Sequence, residues 1–209
     1  MKTIEIVNIN NNSVGNFQID DNIFSSHIRH YLLTEIINWQ RAKKRKGSHA
    51  ALNKGNVKGS TRKPFKQKGR GLARQGTMKN PHQIGGGVAF PPIPKTYSYK
   101  ISKTKRRKAL SAALQIRNQE GRLKILDSFI LVKGKSSSVK SIIQKLNLGK
   151  TLIVDTHNEM LKQGSRNLKN VKYLNEIGIN VYDILYFPYL LITQSALKII
   201  LNRLLKSKK

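Results

Sequence analysis

Apolar residues recur along this chain with two periods, and a long stretch with neither separates them. Lys2 to Asn8 alternates weakly and Val14 to Ile19 does so again, so both read as strands. Ser25 or Ser26 can cap a helix whose apolar face is Ile28, Leu32, Ile36 and Trp39, and that pattern runs out near Arg41. From about Ala42 to Ile101 no period is sustained. Ser102 then opens a second helix, with Leu110, Leu114 and Ile116 towards its end and Gly121 as its stop.

The rest of the chain alternates strand and helix. RLKILD (122–127), TLIVD (151–155), VKYL (171–174) and YLLIT (189–193) read as short strands. Between and after them, SSSVKSIIQKLNLG reads as a capped helix closed by Gly149, with Val139, Ile142, Ile143 and Leu146 inward. His157 to Leu168 reads as a helix interrupted by Gly164, and Gln194 to Lys206 as a helix with Leu197, Ile200, Leu201 and Leu204 on one side. Strands that are apolar at successive positions suit burial on both faces. The expected fold is therefore α/β: a single three-layer domain, residues 1–209, with a mostly parallel sheet, interrupted by a long basic extended loop at residues 42–101. Unstructured loops of that length are uncommon inside compact domains and are usually functional or disordered.

Charge sharpens the picture. The formal net charge is +30, and the 84 residues from Ile36 to Gln119 hold 22 Lys/Arg and no Asp or Glu. Nine of the 15 glycines and five of the six prolines fall in the same region. Such a segment cannot bury enough apolar surface to order itself, and its natural counterpart is a polyanion, whose phosphates give charge-assisted bonds and release counterions on binding. In RKPFKQKGRGLARQG (62–76), Phe65 sits among Lys63, Lys66 and Lys68, where a ring can stack on an unpaired base while the cations hold phosphates. Two arms of about 30 residues could each reach ~100 Å at full extension, far beyond the ~15 Å radius of gyration of a 150-residue globule. Reach of that kind suits threading into folded RNA rather than lying on a duplex.

Other classes fit poorly. No cysteine is present, so disulfides, thiolate catalysis and Cys-ligated zinc are excluded. The opening MKTIEIVNIN lacks the features of a secretory or transit signal, and the most apolar stretch, Ile184 to Ile192, contains Pro188 and is half the ~20 residues a membrane helix needs. GRGLARQG and IGGGVAF lack the spacing of a nucleotide-binding loop. Asp127 and Asp155 end predicted parallel strands, where α/β enzymes place catalytic groups, but they read more simply as strand-end caps or surface carboxylates. His27 and His30 share a helix at a spacing open to metal, with no carboxylate or Cys beside them; His49, His82 and His157 are scattered. No catalytic or metal site is expected. An architectural DNA-binding protein is the main alternative, weakened by the lack of a recognition-helix motif.

The stretch GSTRKPFKQKGRGLARQGTMKNPHQIGGGVAFPP (59–92) resembles the extended loop of the bacterial-type large-subunit ribosomal protein L-four family, whose pattern is close to K-K-P-[WF]-[RK]-Q-K-G-[TR]-G-x-A-R-x-G followed by a Gly-rich segment. The likeness continues through KTKRRKALSAAL and through Asn167, Leu168, Val171, Gly178 and Ile179. The resemblance implies a structural constituent of the large ribosomal subunit, not an enzyme, in a bacterial cytoplasm or an organelle. It implies rRNA contacts from Arg62, Lys63, Phe65, Lys66, Gln67, Lys68, Arg70, Arg74, Lys79, Lys103, Lys105, Arg106 and Arg107. It also implies a loop tip at the nascent-peptide exit tunnel formed by Lys63, Phe65, Gln67, Lys68 and Gly69, with Gln67 to Gly69 near the macrolide site. The implied partners are large-subunit rRNA, neighbouring large-subunit proteins and the nascent peptide; no cofactor is implied beyond Mg2+ held by the rRNA. Phe65 stands where Trp is commoner, which reduces stacking area.

Overall fold

The structure, a computed structural model, describes residues 2–20, 28–131 and 133–205. It divides into two compact units, one built from residues 1–41 and 100–209 and the other from residues 42–99.

The first unit is an α/β sandwich. Strands β1 (Lys2–Val7) and β2 (Ser13–Ile19) form an antiparallel hairpin. Helix α1 (His30–Lys44) and helix α2 (Lys103–Gln119) follow, then β3 (Leu123–Leu126), α3 (Ser136–Lys145), β4 (Thr151–Asp155), α4 (Glu159–Ser165) and β5 (Val171–Asn175). A 3-10 turn (Glu176–Gly178) leads to α5 (Val181–Tyr186), β6 (Tyr189–Thr193) and α6 (Gln194–Leu205). The sheet order is β2-β1-β3-β6-β4-β5, and every neighbouring pair except β1/β2 is parallel. The expected mostly parallel, three-layer α/β fold is the one observed.

Two-sided burial explains the continuous apolar strands. Leu152 and Val154 of β4 and Leu190 and Ile192 of β6 pack into one cluster with Leu32, Leu33 and Ile36 of α1, Leu110 and Leu114 of α2, and Leu197, Ile200 and Leu201 of α6. Their neighbours Ile153 and Leu191 point the other way, against Val139, Ile142 and Ile143 of α3, Leu146, and Leu161 of α4. Adjacent residues on a strand face opposite sides, so a strand covered twice must be apolar at successive positions. Lys124 breaks the run on β3; its ammonium donates to the Leu146 carbonyl at the end of α3 (3.1 Å), satisfying an orphaned helix-end acceptor.

Several boundaries differ from the sequence reading. The expected caps Ser25 and Ser26 lie outside the described residues, as does Lys206; α1 begins at His30 within the described chain and runs to Lys44, three residues past Arg41. Lys135, at the N-terminus of α3, makes no side-chain cap, and the helix is turned by Asn147 at φ 55° rather than closed by Gly149. Asn tolerates the left-handed region because its short side chain can bond locally. Helix α4 is shorter than the expected 157–168, and Gly164 lies inside it without breaking it. A Cβ there would stand 2.9 Å from a Val139 methyl carbon and 3.2 Å from the Lys135 carbonyl, so Gly164 lets α4 pack closely on α3. Helix α5 was not anticipated. It has only six residues, begins under the side chain of Asn180, which accepts from the Asp183 amide (2.9 Å), and merges into an apolar run with no helical period of its own.

Candidate nucleic-acid interface

Residues 42–99 contain no strand, and no helix beyond the end of α1 at Lys44. They nevertheless have a defined backbone, because the two legs of the excursion hydrogen-bond across to each other. The Lys95 amide donates to the Gly47 carbonyl (3.1 Å), the Ala51 amide to the Pro92 carbonyl (3.1 Å), and the Val88 amide to the Leu52 carbonyl (2.8 Å). A Cβ on Gly47, which sits at φ 63°, would lie 2.0 Å from the Lys95 carbonyl oxygen, and one on Gly87 would lie 2.4 Å from the Lys54 amide. Glycine is thus what permits the legs to close. Tyr97 reinforces the base: its hydroxyl pairs with His49 Nε2 (3.2 Å), and the Arg45 guanidinium lies 3.9 Å from its ring centre.

Beyond this base the chain is held locally. The Gln75 side-chain oxygen accepts from Gln83 Nε2 (2.8 Å) and pairs with His82 Nε2 (3.0 Å). Among the described residues, no backbone–backbone hydrogen bond holds 58–78. This is the segment from which Arg62, Lys63, Phe65, Lys66, Gln67, Lys68, Arg70 and Arg74 project, all exposed, while Lys79 is half-buried. Lys63 donates to Gln67, and the Arg70 guanidinium lies 4.0 Å over the centre of the Phe65 ring. Residues 65–75 curl around a hollow of about 240 Å³. Gly69 (φ 86°) and Gly71 (φ 65°) adopt left-handed backbone at the turn.

The first unit carries a second basic patch. Ser102 caps α2, its hydroxyl accepting from the Lys105 amide (3.3 Å), and so fixes the rotation of Lys103, Arg106 and Arg107 about the helix. These three line a cleft of about 350 Å³ together with Trp39, Gln40, Asn180 and Arg203. Arg106 lies 5.4 Å from the Trp39 ring centre, and Arg203 donates to the Ile177 carbonyl (3.0 Å). Lys105 does not share this cleft's lining; its ammonium is engaged by Glu35 at 2.9 and 3.2 Å. The sequence reading named Lys103, Arg106 and Arg107 but not Arg203, because nothing local marks a cation that only the packing of α6 brings beside α2.

The ends of the parallel strands are occupied by structural bonds. Asp155 accepts from the Thr193 hydroxyl (2.7 Å), the Thr156 amide (2.8 Å) and Asn158 Nδ2 (3.0 Å). Burial pushes the nearby Tyr173 hydroxyl above the usual phenol value, and it donates to the Thr156 carbonyl (2.8 Å). Asp127 is exposed. His27 lies outside the described residues, and among the described residues no group of three or more His, Asp or Glu could hold a metal ion. No described helix is long and apolar enough to cross a membrane.

Comparison with known proteins agrees with this layout. Residues 17–203 match the model of the ribosomal protein L4/L1 family. The large ribosomal subunit protein uL4 of Geobacter sulfurreducens is 39% identical over 201 residues, covering 96% of this chain and 97% of its own. The protein of the same name from Desulfotalea psychrophila is 37% identical over 206 residues, covering 98% of each. A family match across nearly the whole chain, basic arm included, leaves one assignment: this chain belongs to the ribosomal protein L4/L1 family.

Proposed function

We propose that the chain is a structural constituent of the bacterial large ribosomal subunit, binding large-subunit rRNA and lying beside other proteins of that subunit, with no catalytic role. Its relatives are large-subunit proteins from bacteria. The observation that carries the RNA reading is the arm: residues 42–99 hold 14 Lys/Arg and no acid, on a backbone that is open between 58 and 78. Counter-charge for it has to come from outside, and phosphates provide it. In this reading residues 42–101 are an rRNA-threading loop. Arg62, Lys63, Lys66, Lys68, Arg70, Arg74 and Lys79 contact rRNA phosphates, Phe65 stacks on a base, and Lys103, Arg106 and Arg107 hold a second strand against the α2 patch. Lys105 contributes less, since Glu35 already neutralises it. The segment Lys63, Phe65, Gln67, Lys68 and Gly69 reaches the wall of the nascent-peptide tunnel, where it meets the growing chain; any Mg2+ nearby belongs to the rRNA.

Salt titration of binding to a bacterial large-subunit rRNA transcript tests this. Lys63→Glu or Arg74→Glu lowers affinity and flattens the plot of log affinity against log salt by about one phosphate contact or more, whereas Lys140→Glu, on an exposed face of α3, changes it little. Equal effects at all three positions would show that only total charge matters and would remove the arm from the interface.

A further inference from the structure

Phe90 takes no part in the interface described so far, yet among the described residues it is the one aromatic at positive φ. It is a bulky aromatic with a positive φ of 50°, a region such residues rarely enter. The residue is 102% exposed, so neither face of the ring is covered. Burial cannot be what maintains a sterically costly conformation when nothing is buried.

The surrounding backbone explains how the ring is held out. The Val88 amide is fixed to the Leu52 carbonyl (2.8 Å) and the Pro92 carbonyl to the Ala51 amide (3.1 Å). Ala89, Phe90 and Pro91 therefore bridge two pinned points and bow away from the opposite leg. Pro91 and Pro92 have restricted φ and no amide hydrogen, and since Pro91 favours extended backbone at the residue before it, the positive φ of Phe90 is held by the two flanking cross-leg bonds against that preference. The ring is presented on a stiff mount, which lowers the ordering cost of binding. Phe65 differs: Arg70 already covers one of its faces.

We propose that Phe90 is a second stacking site of the arm, separate from the tip, which takes an unpaired nucleobase of large-subunit rRNA between or against its bare faces. The proposal rests on the reading of the arm as an RNA-binding element. Charge selects the occupant. No acidic residue lies between Ile36 and Gln119, so the macromolecule that covers this ring has to bring negative charge to the same surface. An unpaired base delivers an aromatic face and a phosphate together. An apolar pocket on a protein would deliver only the first.

The test uses the full-length protein and a bacterial large-subunit rRNA transcript, with affinity measured across a range of salt. Phe90 makes no core contact, so its variants keep the fold. Phe90→Ala weakens binding about tenfold with an unchanged salt slope, because a lost stack releases no extra counterions. Phe90→Tyr retains affinity, and Phe90→Leu behaves like Phe90→Ala. In Phe90→Trp the added indole, read against the emission of Trp39 in the parent protein, is quenched when RNA binds. If Phe90→Leu binds as well as the parent, or if the defect of Phe90→Ala emerges only when other large-subunit proteins are added, the ring enters an apolar protein pocket and the proposal fails. If Phe90→Ala has no defect in either setting, it fails outright. Failure of the RNA reading itself is recognised separately, by Lys63→Glu and Arg74→Glu leaving the salt slope unchanged.

Discussion

Arg117 carries one of the 22 positive charges of the acid-free window, yet it is not available to any polyanion. It is buried on α2, donating from Nε to the Ile184 carbonyl (2.9 Å) and from Nη2 to the Leu185 carbonyl (2.9 Å), with Nη1 on Glu120 at 2.6 Å. The guanidinium ties α2 to the last turn of α5, whose carbonyls lack helical partners. Arg117→Ala leaves those acceptors unsatisfied and should cost about 2–4 kcal/mol in urea unfolding, with the rRNA salt slope unchanged. At Gly164 steric crowding, not polarity, decides. Gly164→Val should destabilise by about 1–3 kcal/mol, since the added carbons press on Val139 and the Lys135 carbonyl. Neither residue's role was legible in the sequence, where Arg117 reads as one more basic residue and Gly164 as a helix breaker. Both readings fail because each residue's partner lies on another element.

Among the elements, the legs of the arm and its tip differ in kind. On composition the whole arm is expected to be unable to order itself in the free protein. The cross-leg bonds divide that segment. Hydrogen exchange of the isolated protein should show protection at the Ala51, Gly87, Val88 and Lys95 amides, which donate across the arm or back to Lys79, and exchange near the intrinsic rate across 61–74. Uniformly fast exchange would mean that the legs close only on RNA; uniform protection would mean that the tip is rigid without it. The absence of a period in residues 42–101 correctly indicated no strand and no helix past Lys44, but these glycines read in sequence as flexibility. Gly47 and Gly87 do the opposite, allowing two backbones to meet where any side chain would collide. Helix α2 shows the converse: Ser102 and Gly121 marked its ends in the sequence, and the structure finds the cap at Ser102 and a left-handed Gly121 at φ 66°.

For the whole molecule, the buried apolar clusters among the described residues contain no side chain of the arm. The residues that fill both faces of the sheet come from residues 1–41 and 100–209. Deleting about Gly59 to Gly87 should leave far-UV circular dichroism and cooperative unfolding of the core intact, while rRNA binding falls but persists through the Lys103, Arg106 and Arg107 patch. Loss of all binding on deletion would show that the α2 patch contributes nothing. Loss of cooperative unfolding would show that the core needs the arm. Binding at the level of the full chain would overturn the arm's role.

The sequence alone determined the α/β class, the mostly parallel sheet and the aperiodic, acid-free stretch between α1 and α2. Period and charge are local properties of the chain, and burial on two faces imposes the first while desolvation cost imposes the second. Only the folded structure decided which cations face outward, which glycines are structural, and that α5 exists. Those outcomes turn on which distant segments meet: Arg117 with the end of α5, Arg203 beside Arg106, Lys105 with Glu35, Val88 against Leu52. A pattern along one strand of chain carries no record of the surface it will be packed against.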